Sequence, residues 1–188
     1  MPSFFRIFIF MKEIQLTQGK VAIVDSEDFD RVNELNWFAV EGKKSFYAQR
    51  QVRIEGGRKN FHMHKFILDT EEQVDHINGN GLDNRKENLR VATNQQNCMN
   101  VAPKHSNKSS KYKGVHKTKS GTFEAQIKID YKSYNIGRLK DEELAAKYYD
   151  AVARYYHGEY AWCNFNEVFI EPRPIEIIKE EIKQLRKK

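Results

Sequence analysis

The chain of 188 residues is 39% hydrophobic, 12% aromatic and 31% charged, with 32 Lys and Arg against 26 Asp and Glu. No run of about 18 apolar residues occurs, which excludes a multispanning membrane protein, and the aromatic content argues against disorder. Two cysteines, Cys98 and Cys163, exclude a disulfide framework and a four-cysteine zinc site, and they fit a reducing, intracellular setting.

Residues 1–11 are apolar, but Arg6 lies inside the run and no small-residue cleavage site follows, so the segment reads as a non-signal. Met11 opens an ordinary soluble sequence and is the expected start. Residues 20–25 (KVAIVD) predict a strand. Ser26 is placed to cap a helix that carries Phe29, Val32 and Leu35 on one face. Residues 36–40 and 45–52, rich in aromatic and β-branched side chains, predict two strands around a turn at 41–44. Gly56-Gly57 is a further turn. Residues 60–68 (NFHMHKFIL) read as a strand, or as a strand running into a helical turn. In this segment His62 and His64 alternate and raise the thought of a metal clamp. The preferred reading makes His64 a packing or hydrogen-bonding residue, with His62 on the opposite face.

The central segment, 74–97, is the informative one. Asp75 and His76 stand together at the end of a short apolar strand, followed by a glycine-rich turn, Asn78-Gly79-Asn80-Gly81. A polar stretch with Asn84 and Asn88 comes next, then a helix-compatible stretch with Asn94 and Asn97. A carboxylate and an amide carbonyl are hard oxygen ligands that suit Mg²⁺ or Mn²⁺ rather than zinc. A neutral imidazole beside such an ion can take a proton from water. Together these parts describe metal-assisted phosphodiester hydrolysis. Cys98, beside Met99 and without a partner cysteine, is expected to be a buried small residue rather than a thiol ligand.

The pieces His64-Lys65-Phe66, Asp75-His76-Ile77-Asn78-Gly79-Asn80, Asn88-Leu89-Arg90 and Asn97 resemble the HNH nucleases, and in particular the branch found in phage and intron homing endonucleases. The resemblance spans about residues 60–100 and departs from the pattern at Lys65 and Asn78, where Arg and Asp are usual. It implies a ββα-metal hairpin and helix, with His76 as general base, Asp75 and Asn97 holding the divalent ion, and Asn88 pinning the loop and orienting the imidazole. It also implies a homing-type nicking enzyme.

The basic excess is local. Residues 1–101 carry 14 basic and 14 acidic side chains, whereas residues 102–140 carry 10 basic and 2 acidic ones and residues 141–160 carry 2 and 5. A Ser/Lys-rich linker is expected at 102–110. Strands follow at 112–117, 123–130 and 133–139. In the second, Phe123, Ala125, Ile127 and Ile129 alternate with Glu124, Gln126, Lys128 and Asp130, giving one buried and one wet face. A helix begins at Asp141 with Leu144, Ala145, Tyr148, Val152 and Tyr155 on one side, and Gly158 ends it. Residues 175–188 predict a charged amphipathic helix, frayed at the end of the chain.

The series Tyr112-Lys113-Gly114-Val115-His116, then Gln126-Ile127-Lys128, Asn135-Ile136-Gly137, Tyr149-Asp150 and Asn164-Phe165 resembles the plant AP-two (ethylene-response-factor) DNA-binding domain over residues 111–165. By that resemblance Lys113, His116, Gln126, Lys128, Ser133 and Asn135 face DNA and Tyr149 reaches a phosphate. Several family arginines are Lys, His or Ser here, so a bidentate arginine–guanine contact is missing at those points.

The expected fold class is α+β: an N-terminal region (1–59), the HNH segment (60–101), a linker (102–110), a three-stranded antiparallel sheet packed on one helix (111–165) and a helical tail (166–188). The expected activity is a site-directed DNA endonuclease using Mg²⁺ or Mn²⁺ on double-stranded DNA. It is expected to act as a monomer or weak dimer in the cytoplasm of a host cell, with no membrane or protein partner and without secretion. The rival readings are a non-catalytic DNA-binding regulator with a decayed nuclease half, and an RNA-binding or RNA-cleaving protein.

Overall fold

The computed structural model describes residues 11–42, 45–102 and 109–185. The apolar N-terminal run, residues 43–44 of the expected turn, most of the expected linker and the last residues of the expected tail lie outside the described residues. The fold is α+β and divides between Asn97 and Cys98 into two compact units.

In the first unit, β1 (Met11–Gln15) pairs antiparallel with β2 (Val21–Asp25). α1 (Ser26–Asn33) follows at once, and Asp25, not Ser26, takes the capping position. Asp25 makes no side-chain cap, because its carboxylate instead accepts from the Lys86 backbone N–H at 2.8 Å. Phe29, Val32 and Leu35 do share the buried face. β3 (Phe38–Glu41), β4 (Phe46–Ile54) and β5 (Gly57–His62) form an antiparallel sheet in that order. β5 runs directly into α2 (Met63–Leu68), the second of the two alternatives open for residues 60–68.

β6 (Val74–His76) and β7 (Leu89–Val91) then make a short hairpin, with Asp75 opposite Arg90 and His76 opposite Leu89. α3 (Asn94–Met99) opens on a reciprocal capping box. Thr93 Oγ1 accepts from the Gln96 N–H at 3.2 Å and Gln96 Oε1 accepts from the Thr93 N–H at 2.8 Å. Cys98 lies on this helix and is exposed, contrary to the buried position expected of it, because α3 buries none of its residues. Met63, Ile67, Val74 and Leu89 share one core with Ile14, Val24 and Val32.

The second unit holds β8 (Val115–Lys117), β9 (Phe123–Ile129) and β10 (Lys132–Leu139), antiparallel in the order β10-β9-β8. α4 (Glu142–His157) covers the apolar face; Asp141 caps it by accepting from the Leu144 N–H at 2.7 Å, and Gly158 ends it at φ 54°. Asp150, inside α4, accepts from the backbone N–H groups of Asn164 and Phe165 at 2.9 Å each, which ties the following loop to the helix. α5 (Ile175–Leu185) is no frayed tail. Ile175, Ile178 and Ile182 recur at helical spacing and enter the same core as α4 and the sheet. Gly137 of β10 makes room for it, since a Cβ there would stand 2.7 Å from the Ile182 side chain.

No helix among the described residues is long and apolar enough to cross a membrane.

Ile178 is fully buried while its neighbour Ile177 is exposed. Ile178→Ala is therefore expected to lower stability by about 2–5 kcal/mol and Ile177→Ala by far less, as read from urea unfolding midpoints. Equal effects would mean that α5 does not dock.

Candidate functional site

Asp75 and His76 sit at the end of β6, and both are buried, at 5% and 6% exposure. Adjacent strand residues point to opposite faces, so the pair diverges. Asp75 meets Arg90 across the hairpin, with Arg90 Nη2 and Nε donating to Oδ2 at 2.7 and 3.1 Å. His76 turns toward Asn84, whose Oδ1 lies 3.3 Å from the imidazole Nε2. The Asn84 amide nitrogen donates to the Leu82 carbonyl at 3.2 Å, which assigns its oxygen as the atom facing His76. An amide oxygen only accepts, so His76 Nε2 carries the proton in the neutral ring and Nδ1 is the basic nitrogen.

The loop between β6 and β7 owes its shape to three anchors. Asn88 accepts from the Asn78 N–H at 2.9 Å and donates to the Asp83 carbonyl at 2.7 Å, closing the loop on itself. Asp83 holds Arg85 through both carboxylate oxygens at 2.8 and 2.7 Å, and that guanidinium keeps its acid below the usual carboxylate range. The loop then docks on the edge of β2, where the Ile23 N–H donates to Leu82 and the Asn84 N–H donates to Ile23, each at 2.8 Å. Gly81 passes so close to β4 that a Cβ would stand 2.5 Å from the Phe46 carbonyl and 2.6 Å from the Tyr47 ring.

Tyr47 and two further histidines complete the surroundings of His76. The Tyr47 ring lies 5.8 Å from His76 and 6.1 Å from His64, edge on. His64 lies 5.0 Å from His76 and stacks on His62 at 4.9 Å. The expectation that His62 and His64 face apart fails because the chain turns from strand to helix between them, which brings both rings to one side. Among the described residues no group of three or more His, Cys, Asp and Glu side chains is arranged to hold a metal ion. A cavity of about 710 Å³ opens beside them, lined by Tyr47, Lys59, His62, His64 and Lys65.

Burial lowers the pKa of His76, more strongly than Asn84, Asp75 and Asp83 raise it, so the ring is neutral at pH 7. Burial, with the neighbouring imidazoles and Lys65, pushes His64 down to about 3.

Asn97 lies on α3, half-buried, with its N–H donating to the Thr93 carbonyl at 2.9 Å. Asp75 and Asn97 offer hard oxygen donors. A Mg²⁺-sized ion ordinarily keeps waters, takes one or two carboxylates and completes its shell with substrate phosphates. The donor set fits such a hydrated ion.

In the second unit, Gln126, Lys128, Ser133 and Asn135 are exposed on the sheet face opposite α4, with Gln126 facing Asn135 and Lys128 facing Ser133 across the strands. His116 is half-exposed and donates to Glu124 at 3.2 Å. Lys113 and Tyr149 complete the set expected to face DNA. Lys113 donates to the Met99 carbonyl at 2.5 Å and lies over the Trp162 ring. Tyr149 is 3% exposed, and its ring packs against Gly114 in the core.

Sequence reasoning named Asn84, Arg90 and Glu124 without a role and missed Tyr47. Asn84 sat in a stretch already marked as polar. Tyr47 comes from a strand far upstream and carried no local signal.

The profile of the HNH endonuclease family matches residues 68–99. A protein of Acanthamoeba polyphaga mimivirus, described as an uncharacterized HNH endonuclease, is 30% identical over 153 residues, which cover 78% of this chain and 76% of that protein.

The depressed His64 predicts a pH-dependent stability. Between its ordinary 6.5 and about 3, the unfolded chain binds a proton that the folded chain refuses. Stability is therefore lost as the pH falls through that window, by up to about 1.4 kcal/mol per pH unit, and the lowered His62 and His76 act in the same sense. Urea unfolding at pH 7.5 and 5.5 should show the loss, and His64→Phe should shrink it. A slope unchanged by the substitution would assign the effect elsewhere.

Proposed function

Because this chain belongs to the HNH endonuclease family, we propose that it is a site-directed DNA endonuclease that hydrolyses one phosphodiester bond per site, with His76 as general base. The observation that carries the reading is the buried, neutral imidazole of His76, held at Nε2 by Asn84.

The tautomer assigns the direction of proton flow. Asn84 fixes the proton on Nε2, so Nδ1 accepts the proton of the attacking water as its oxygen bonds to phosphorus. Asn88 acts through the loop, keeping the backbone around Asn78 and Asp83 in the conformation that presents Asn84 to His76. Asp75 and Asn97 would hold the divalent ion, Mg²⁺ or Mn²⁺. Such an ion would supply positive charge to the reacting phosphate and to the 3′ oxygen that leaves as its bond to phosphorus breaks. Arg90 fixes the orientation of Asp75. A single site of this kind cuts one strand, which makes the monomer a nicking enzyme of the homing type.

The second unit positions the substrate as an AP-two-like sheet. The outer face of β9 and β10 carries Gln126, Lys128, Ser133 and Asn135, a set of donors and one cation suited to phosphates and base edges in a major groove. The opposite face is taken by α4, so only this one can meet a duplex.

His76→Ala is expected to abolish nicking of supercoiled plasmid in the presence of Mg²⁺ while leaving duplex retention in a gel shift intact; a variant that still nicks sinks the mechanism. Lys128→Ala should weaken duplex binding and reduce the slope of log affinity against log salt by roughly one, the signature of one lost phosphate contact. An unchanged slope would take Lys128 off the DNA.

A further inference from the structure

One acid on the outer face of the second sheet is buried. Glu124 is 8% exposed although it stands at an outward position of β9. Three side chains from the two flanking strands converge on it. His116 of β8 donates to Oε2 at 3.2 Å, Arg138 of β10 donates through Nε to Oε1 at 3.2 Å, and Asn135 of β10 donates to the same Oε1.

Asn135 and Arg138 are three residues apart, and on a regular strand they would point to opposite faces. They share a face because the register of β10 shifts between Asn135 and Gly137. Asn135 pairs with Gln126, Gly137 with Ala125 and Arg138 with Glu124, so Ile136 is the extra residue. Its side chain, fully buried, fills the core, and the strand resumes with Arg138 outward. A bulge of this kind re-aims a side chain. Here it delivers a guanidinium to a face that also carries Lys128, a point charge without a planar fork.

We propose that Arg138, aimed by the β10 bulge and held by Glu124, is a base-reading residue of this sheet and selects guanine in the major groove. The inference rests on the reading of the sheet as a duplex-binding platform. A guanidinium matches the guanine O6 and N7 pair through two parallel donors, the commonest specific contact in the groove. Arg138 remains 53% exposed while its Nε is anchored, so the fork is oriented before DNA arrives and less side-chain freedom is lost on binding. Glu124 is a positioning residue: it lies beneath the contact surface and acts through Arg138, Asn135 and His116.

The test is selection of duplexes from a random library by the full chain in EDTA, where cleavage is silent, followed by titration on the selected duplex and on single-base variants of it. The wild type is expected to enrich a site with a guanine whose replacement weakens binding about tenfold or more. Arg138→Lys keeps the charge and should erase that one preference while affinity for the remaining positions holds. Glu124→Gln should blunt the same preference. Lys128→Ala should lower affinity for all sequences alike and leave the preference in place. Arg138→Lys changes an exposed side chain, so its fold, checked by circular dichroism, is expected to be that of the wild type. A selected site that survives Arg138→Lys unaltered overturns the inference and leaves the platform reading standing. A wild-type chain that retains no duplex overturns the platform reading and the inference with it.

Discussion

The backbone exchange between Ile23 and the 82–84 segment is the contact on which the site depends. β2 is an edge strand on that side, and an edge strand presents unpaired donors and acceptors that something must cover. The loop of the β6–β7 hairpin covers it, giving one bond from Ile23 to Leu82 and one from Asn84 to Ile23. Asp25 extends the same edge by accepting from Lys86 instead of capping α1. The consequence is registration. Asn84 arrives at a fixed height beside His76, and the imidazole is held in one tautomer. Without that dock, a glycine-rich loop of this length would sample many conformations, and the order of a few ångströms that a proton transfer demands would be lost.

The same anchoring ties β1 and β2 to the hairpin through a shared core. Ile14, Ala22 and Val24 are buried together with Met63, Ile67, Val74 and Leu89. β4 contributes in a second way, by setting Tyr47 against three imidazoles and by requiring glycine at position 81. The burial that neutralises His76 is thus built from segments remote in the chain. It is also why the site's histidines resist protonation, since removing a ring from water disfavours its charged form.

The second unit follows a different logic. Its core is a sheet under two helices. Glu124 is the exception to the alternation of β9, an acid at a wet position that is nonetheless buried. It is tolerated because three donors meet it, which is the usual condition for burying a carboxylate. The local excess of positive charge, visible by count, therefore understates the organisation of that face.

Much was legible in the sequence, for stated reasons. The Asp75-His76 pair, the glycine turn and the Asn88-Leu89-Arg90 stretch are contiguous, so the hairpin could be read directly. Period-two alternation in residues 123–130 and three-four spacing in residues 144–155 located a sheet and its covering helix, because burial on one face imposes those periods. What required the tertiary structure were relations between distant or shifted positions. These are Asn84 meeting His76 through the β2 dock, Tyr47 and His62 joining from the β3–β4–β5 sheet, α5 entering the core, Tyr149 turning inward, and a bulge sending Arg138 to the face of Asn135. Local patterns record which face of an element is buried. They do not record which edge a loop will pair with or where a strand will slip by one residue, since those are decided by hydrogen-bond partners and side-chain volumes supplied from elsewhere in the chain.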